Sequence, residues 1–287
     1  GVSYYNAQEG DPCTLPSAEF MNTGTVLKVY LATGGPVPNQ TIYFKCIDKS
    51  TVGGTYTIPG LGTYKEILVP TPAGYNSYTT NLNDNGVLIG YLEDSNGVKQ
   101  GFYYFNAEFR LLGTLGGLGS VPNDVNTYKQ IVGNSQTADG VWHAFMYYNG
   151  TMQDLGSFGT ATNACRINDN GYIGINSSNG TNNTAYLYHN GLVDTLRCGS
   201  DSNSVVSYVD KNNNAAGSCG VAGSYQAAFW INGVASKNGR FNSAITDGNN
   251  LGQYVGFSNG WADVSAAFWA SPTATSVDTG IYLSAYR

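Results

Sequence analysis

A unit of about forty residues recurs along this chain, and no other property of the sequence narrows its fold as far. One copy runs through Leu112-Gly-Thr-Leu-Gly-Gly, Asn123-Asp-Val-Asn126, Gln130-Ile-Val-Gly-Asn-Ser135, His143-Ala-Phe-Met-Tyr-Tyr-Asn-Gly150 and Met152-Gln-Asp-Leu155. The next has Cys165-Arg-Ile-Asn-Asp-Asn-Gly171, Tyr172-Ile-Gly174, Ala185-Tyr-Leu-Tyr-His-Asn-Gly191 and Val193-Asp-Thr-Leu196. Shorter matches are Asn81-Leu-Asn-Asp-Asn-Gly86 with Val87-Leu-Ile-Gly90, Ala216-Gly217 with Ala228-Phe-Trp230, and Tyr254-Val-Gly256 with Ala267-Phe-Trp269. Taken as anchors, Gly90, Gly133, Gly174, Gly217 and Gly256 lie 43, 41, 43 and 39 residues apart. That period, filled with short strands, belongs to a β-propeller blade.

Within a copy, four strands of β length are expected, for the third at 162–167, 172–176, 185–189 and 192–196. Asn-Gly and Asn-Asp-Asn-Gly separate them, because tight hairpins need positive φ, which Asn and Gly accept cheaply. A four-stranded sheet cannot bury both faces alone, and stacking sheets around an axis does so. Five copies occupy residues 71–287. The first seventy residues alternate at 26–32, 41–47, 54–58 and 64–69 and read as a divergent first blade. The expectation is a single all-β domain over 1–287, a propeller of six four-stranded blades. The alternative is five blades plus an N-terminal β extension.

Composition excludes several function classes. Charged residues are only 11 % of 287, and the net charge of −6 argues against nucleic-acid partners. No apolar run is long enough for a membrane span. Five cysteines without a CxxC pair, and two histidines, give no zinc pattern, and no metal or other cofactor is expected. The low charge, with 38 Gly and 22 Tyr, suits an extracellular protein whose signal peptide has been removed.

The run Leu115-Gly-Gly, Asp124-Val-Asn126, Ile131-Val-Gly133, His143-Ala-Phe145, Asn149-Gly150, Asp154-Leu155 resembles the bacterial extracellular HAF-repeat family, strongest between Asn81 and Leu196. The resemblance implies a secreted or surface protein with propeller-like repeats, and no catalytic residues come with it. His143 itself faces Gln100, Thr184, Ala227 and Ala266 in the other copies, so it reads as a packing or hydrogen-bonding group. No nucleophile elbow or HExxH occurs, and no acids pair at matched positions: Glu93, Asp94, Asp139 and Asp263 are scattered. The chain is expected not to be an enzyme. The Asn-Asp-Asn-Gly turns resemble calcium loops but offer one Asp each, so they read as Asx-stabilised hairpins.

Loops on a rigid scaffold are where binding resides. Those between the second and third strands of each copy, at 97–100, 138–142, 178–183, 220–226 and 259–264, lie on one face and carry Trp142, Tyr225 and Trp261. Aromatic faces amid Asn, Asp and Gln suit sugar rings. The expected function is non-catalytic binding of a neutral glycan or surface protein through these three residues. The alternative is a structural subunit of an extracellular assembly, self-associating through strand edges; a polysaccharide-degrading enzyme is the third reading. Cys198 and Cys219 stand where another copy has Ser157 and Ser135, so they were replaced together, which points to a Cys198–Cys219 disulfide. Cys13 and Cys46 are then expected to bridge within the first seventy residues, leaving Cys165 as a buried thiol.

Overall fold

The computed structural model of the protein describes residues 55–58, 62–65, 69, 71–259 and 264–283. The chain divides into two compact units, Gly1–Pro70 and Thr71–Arg287. In the first unit, β1 (Thr55–Ile58) and β2 (Gly62–Lys65) pair as an antiparallel hairpin. The other strands expected there, and the Cys13–Cys46 pairing, lie outside the described residues.

The second unit holds five four-stranded antiparallel sheets, and no helix occurs among the described residues. The first sheet is β3 (Asn76–Leu82), β4 (Leu88–Glu93), β5 (Lys99–Phe105) and β6 (Glu108–Leu111). The second is β7 (Gly116–Val125), β8 (Ile131–Thr137), β9 (Trp142–Tyr148) and β10 (Thr151–Gly156). The third is β11 (Ala161–Ile167), β12 (Ile173–Ser178), β13 (Asn183–His189) and β14 (Leu192–Leu196). The fourth is β15 (Asn203–Val209), β16 (Ala215–Val221), β17 (Ser224–Ile231) and β18 (Val234–Lys237). The fifth is β19 (Ser243–Gly248), β20 (Tyr254–Asn259), β21 (Val264–Trp269) and β22 (Val277–Leu283). Each is a meander whose strands follow chain order, as the hairpin chemistry requires. Asn149-Gly150, Asn190-Gly191 and Asn232-Gly233 close their third turns with both residues at positive φ (50° and 83°, 51° and 81°, 50° and 77°).

The sheets stack face to face. Strand β7 lies against β3, β4 and β5, and β11, β15 and β19 lie in the same way against the sheet before them. Each interface has its own apolar core. Ile89 and Leu112 meet Ile131 and Phe145 between the first two sheets, and Val132 and Leu155 meet Ile167 and Ile175 between the next two. Leu187 and Leu196 meet Val206 and Trp230, and Phe229 meets Ile245, Tyr254 and Trp269. Strands β3, β7, β11, β15 and β19 form the inner layer of this propeller-like stack.

Three features recur in the inner layer. Every inner strand carries a β-bulge, at Thr80, Asn123, Cys165, Ser207 and Thr246. A bulge re-aims its side chain, and three of these reach the next sheet. Asn123 Nδ2 donates to the Ala164 carbonyl at 2.9 Å, Cys165 Sγ lies 3.3 Å from the Val206 carbonyl, and the Ser207 hydroxyl donates to the Ile245 carbonyl. Beside the bulges sit glycines whose added Cβ would come within 2.0–2.1 Å of a carbonyl oxygen at Gly90 and Gly133, and 1.9 Å at Gly217 and Gly256. In the third sheet the register puts Ile175, not Gly174, in this slot, since Ile175 pairs with Ala164 as Gly133 pairs with Pro122. The anchor expected at Gly174 is one residue early.

The third feature is a ladder of Asx side chains at the turns after the inner strands. Asn83, Asn126 and Asn168 each accept two backbone N–H groups of their own turn through Oδ1. Each also donates through Nδ2 to the next sheet, to the carbonyls of Asn126 (2.7 Å), Asn168 (3.1 Å) and Asp210 (2.7 Å). The Asx-turn reading therefore describes these loops, with an inter-sheet bond added. Asn168 is 7 % exposed and also donates to Asn213 Oδ1. Asn168→Ala leaves several buried partners unpaired, and a loss of about 2–3 kcal/mol is expected. Urea unfolding that shows an unshifted midpoint would contradict the ladder's role.

Candidate functional site

Between the second and third sheets lies an open groove of about 360 Å³, lined by Trp142, Asn134, Asn163, Asn176, Asn183, Thr162, Ser177, Ser178 and Ala161. Among the described residues, no charged one lines it. Trp142 opens β9, so it stands on a strand end beside the loop rather than within it. Its ring is half-buried, and its Nε1–H has no hydrogen-bond partner among the described residues. The groove floor is fixed by its own bonds. Asn176 donates to the Val206 carbonyl at 2.7 Å and accepts the Val206 N–H at 2.8 Å. Thr162 Oγ1 accepts the Phe158 N–H at 2.9 Å and meets Ser177 Oγ at 3.2 Å.

The position of Trp142 is held by Lys99, Asn183, Tyr225 and Val264 in the other sheets, as the pairings of β5, β13, β17 and β21 show. Three of these residues make contacts of their own. Lys99 Nζ lies 4.8 Å from the Tyr91 ring centre. The Asn183 N–H donates to Asn203 Oδ1 at 2.8 Å. Tyr225 sits edge-on to Phe257 with ring centres 6.2 Å apart. Tyr225 also lies inside β17, because β16 and β17 are joined by a two-residue turn where a seven-residue loop, 220–226, was expected. Trp261 lies outside the described residues. The structure thus separates Trp142 and Tyr225 into different grooves.

The remaining tryptophans are core residues. Trp230 and Trp269 are 1 % and 0 % exposed, and their indole N–H groups donate to the carbonyls of Arg197 (3.2 Å) and Asn238 (2.7 Å). A buried indole with its N–H satisfied is a packing residue, and Trp142 departs from this on both counts.

His143 lies 2.9 Å from Asp154, and His189, stacked on Tyr172, lies 2.9 Å from Asp194. Both are cross-strand pairs. Strand pairing makes Gln226 and Ser265 the counterparts of His143, where Ala227 and Ala266 were expected. The Ala-Phe steps of the last two sheets sit one position along the strand. The backbone confirms this: Gly101, Ala185 and Ala227 each donate N–H to a buried serine of the next sheet at 3.0 Å.

A second cavity, of about 380 Å³, lies where the five inner strands converge. The residues just after the bulges line it: Asn81, Asp124, Arg166, Tyr208 and Asp247. Asp124 accepts Asn81 Nδ2 (2.6 Å), the Val125 N–H (2.9 Å) and the Ile167 N–H (2.8 Å), so both carboxylate oxygens are engaged. Burial pushes its carboxyl above the ordinary range, against the pull of those bonds and of Arg166. Arg166 donates Nε to the Ser207 carbonyl at 2.9 Å and lies 3.6 Å from Asp247. Burial, with Asp247 and Asp210 nearby, pushes the Tyr208 phenol up to about 12. The Asn81–Asp124 bond, the Asp124–Ile167 bond and the Arg166–Asp247 pair tie inner strands together. Sequence reasoning passed over them because five different residue types share the position.

Of the scattered acids, Glu93 ends β4, while Asp139 and Asp94 are turn formers: Asp139 accepts the Thr137 hydroxyl and Asp94 the N–H groups of Val98 and Asn96, which hold both carboxyls below their ordinary range. Asp263 lies outside the described residues. Among the described residues, no group of three or more His, Cys, Asp or Glu is placed to hold a metal ion. Cys198 and Cys219 form a disulfide, with Cα atoms 6.1 Å apart. Cys165 is free, and burial pushes its thiol up to about 12.

No protein-family model matches the chain, and no characterised protein matches it in sequence. Solved structures do. A puromycin-hydrolysing peptidase of Mycobacterium tuberculosis aligns at 11 % identity and a TM-score of 0.52, covering 75 % of this chain and 40 % of that one. TolB from Acinetobacter baumannii aligns at 13 % and 0.43, covering 70 % and 62 %. The Aleuria aurantia lectin, solved with alpha-methyl-L-fucoside, aligns at 11 % and 0.39, covering 71 % and 78 %. The chain thus spans less than two thirds of the peptidase and of TolB, and the likeness to the peptidase is one of fold.

Proposed function

We propose that this protein is a non-catalytic recognition protein that holds a neutral sugar in the groove between the second and third sheets, with Trp142 as the stacking platform. The observation that carries this reading is the groove itself: open, uncharged, rimmed by carboxamides and hydroxyls, with one half-buried indole whose N–H is unpaired. An indole face packs on the C–H face of a pyranose, while amide groups meet its oxygens. The lining consists of carboxamides, hydroxyls and one indole, groups that hold a sugar by hydrogen bonds and stacking. The disulfide and the low charge support an extracellular setting, in keeping with the secreted HAF-repeat proteins that the His143-Ala144-Phe145 motif resembles.

The intact protein, screened on an array of neutral, sulfated and uronate-bearing glycans, is expected to bind neutral members. Retention of acidic glycans alone, or binding that survives Trp142→Ala unchanged, would overturn the assignment.

A further inference from the structure

The hydrogen-bonding groups left over in the Trp142 groove are unequal in kind, and the inequality selects among neutral sugars. Asn123 sets the orientation of two of them. Its Nδ2 donates to the Ala164 carbonyl, which can only accept, and to Asn163 Oδ1 at 2.6 Å, with Asn134 Oδ1 at 3.4 Å. The carbonyl oxygens of Asn163 and Asn134 are therefore engaged, and their NH₂ groups have no partner among the described residues. Asn176 Oδ1 is taken by the Val206 N–H, Thr162 Oγ1 by the Phe158 N–H, and Ser178 Oγ by the Gly180 N–H at 3.1 Å. What remains is rich in donors: the Trp142 N–H, the NH₂ groups of Asn134, Asn163 and Asn183 and the Ser178 hydroxyl, against a single side-chain carbonyl that accepts no bond, on Asn183.

A plain hexose brings a hydrogen to donate on every hydroxyl, and a hydroxyl buried without an acceptor is penalised. An acetamido group in place of one hydroxyl reverses the match. It supplies a carbonyl that only accepts, one N–H for the one free acceptor, and a methyl for the indole face. Resting on the reading of the groove given above, we infer that its ligand is a 2-acetamido-2-deoxyhexopyranoside, bound with the acetamido carbonyl among the Asn163, Asn183 and Trp142 N–H groups.

The test is calorimetric titration of the intact protein with methyl N-acetyl-β-glucosaminide, methyl N-acetyl-β-galactosaminide, methyl β-glucoside and methyl β-galactoside. At least one N-acetylated sugar should bind about tenfold or more tighter than its parent hexoside, the worth of one good hydrogen bond. Asn163→Asp and Asn183→Asp keep the shape but replace an NH₂ donor with an acceptor, and each should shrink that ratio toward one while the melting temperature stays at the parent value. Equal binding of both classes, lost together in Trp142→Ala, would sink the acetamido inference and leave the groove standing. An undiminished ratio in both Asp variants would sink it too. Binding of none of the four sugars would overturn the groove assignment along with it.

Discussion

Trp230→Ala is expected to lose about 3–5 kcal/mol of stability, whereas Trp142→Ala keeps the parent's stability within about 1 kcal/mol and loses sugar binding. Trp230 fills the core between the third and fourth sheets against Leu187, Leu196 and Val206, and its removal also strands the Arg197 carbonyl. Such a loss lowers the melting temperature by about 6–20 °C in a domain of this size. Trp142 lies half-open on the groove rim with no hydrogen bond to forfeit. Thermal melts and glycoside titrations on the same two variants decide the matter. If Trp142→Ala melts as early as Trp230→Ala, its ring is part of the core and the groove is not a site.

The second large effect concerns the disulfide. Cys198 follows β14 and Cys219 lies on β16, so the bridge clamps the third sheet's exit to the fourth sheet across a sequence separation of 21. Closing a loop of that length constrains the unfolded chain by about 3 kcal/mol. The Cys198→Ser/Cys219→Ser double variant should therefore melt about 6–12 °C below the parent. Both sulfurs are buried, at 5 % and 1 % exposure, so mild reductant should leave the parent unchanged until it begins to unfold. A double variant as stable as the parent would show that the interface core alone holds the two sheets.

Much of this architecture is legible because local chemistry and global period agree. Asn149-Gly150 and Asn190-Gly191 demand tight hairpins, and hairpins at a forty-residue spacing demand stacked sheets. The disulfide is legible from a paired departure: Cys219 occupies the place of Ser135, and both changed residues are cysteine. Register is less legible. Ile173-Gly174-Ile175 places a glycine one step from the slot that Gly133 fills, and the text alone gives no way to see that Ile175 occupies it. The same slip affects Ala228-Phe229 and Ala267-Phe268, where inward and outward residues exchange places with a shift of one. The converging residues Asn81, Asp124, Arg166, Tyr208 and Asp247 were invisible because what repeats is a bulge, a backbone event that no side chain announces. Trp142 stood out as a rare aromatic, but its groove is formed with Asn163, Asn176 and Ser178 of the next sheet, which only the stacking brings beside it.

The ladder of Asx turns has a missing rung. Asn83, Asn126 and Asn168 each hand a hydrogen to the following sheet, but the fourth position is Asp210, which has none to give. Asp210 accepts instead, taking the Tyr254 hydroxyl at 3.0 Å and Asn214 Nδ2 at 3.0 Å. In a linear array, cooperativity passes only between neighbours, so the free energy of opening is set seam by seam. At this rung the first four sheets are linked by a repeated backbone-directed bond, and the fifth by one phenol, beside its apolar core and the Ser207 and Ala227 bonds. That seam is where native-state exchange should first distinguish two cooperative units, with the fifth sheet as the one that opens at lower cost.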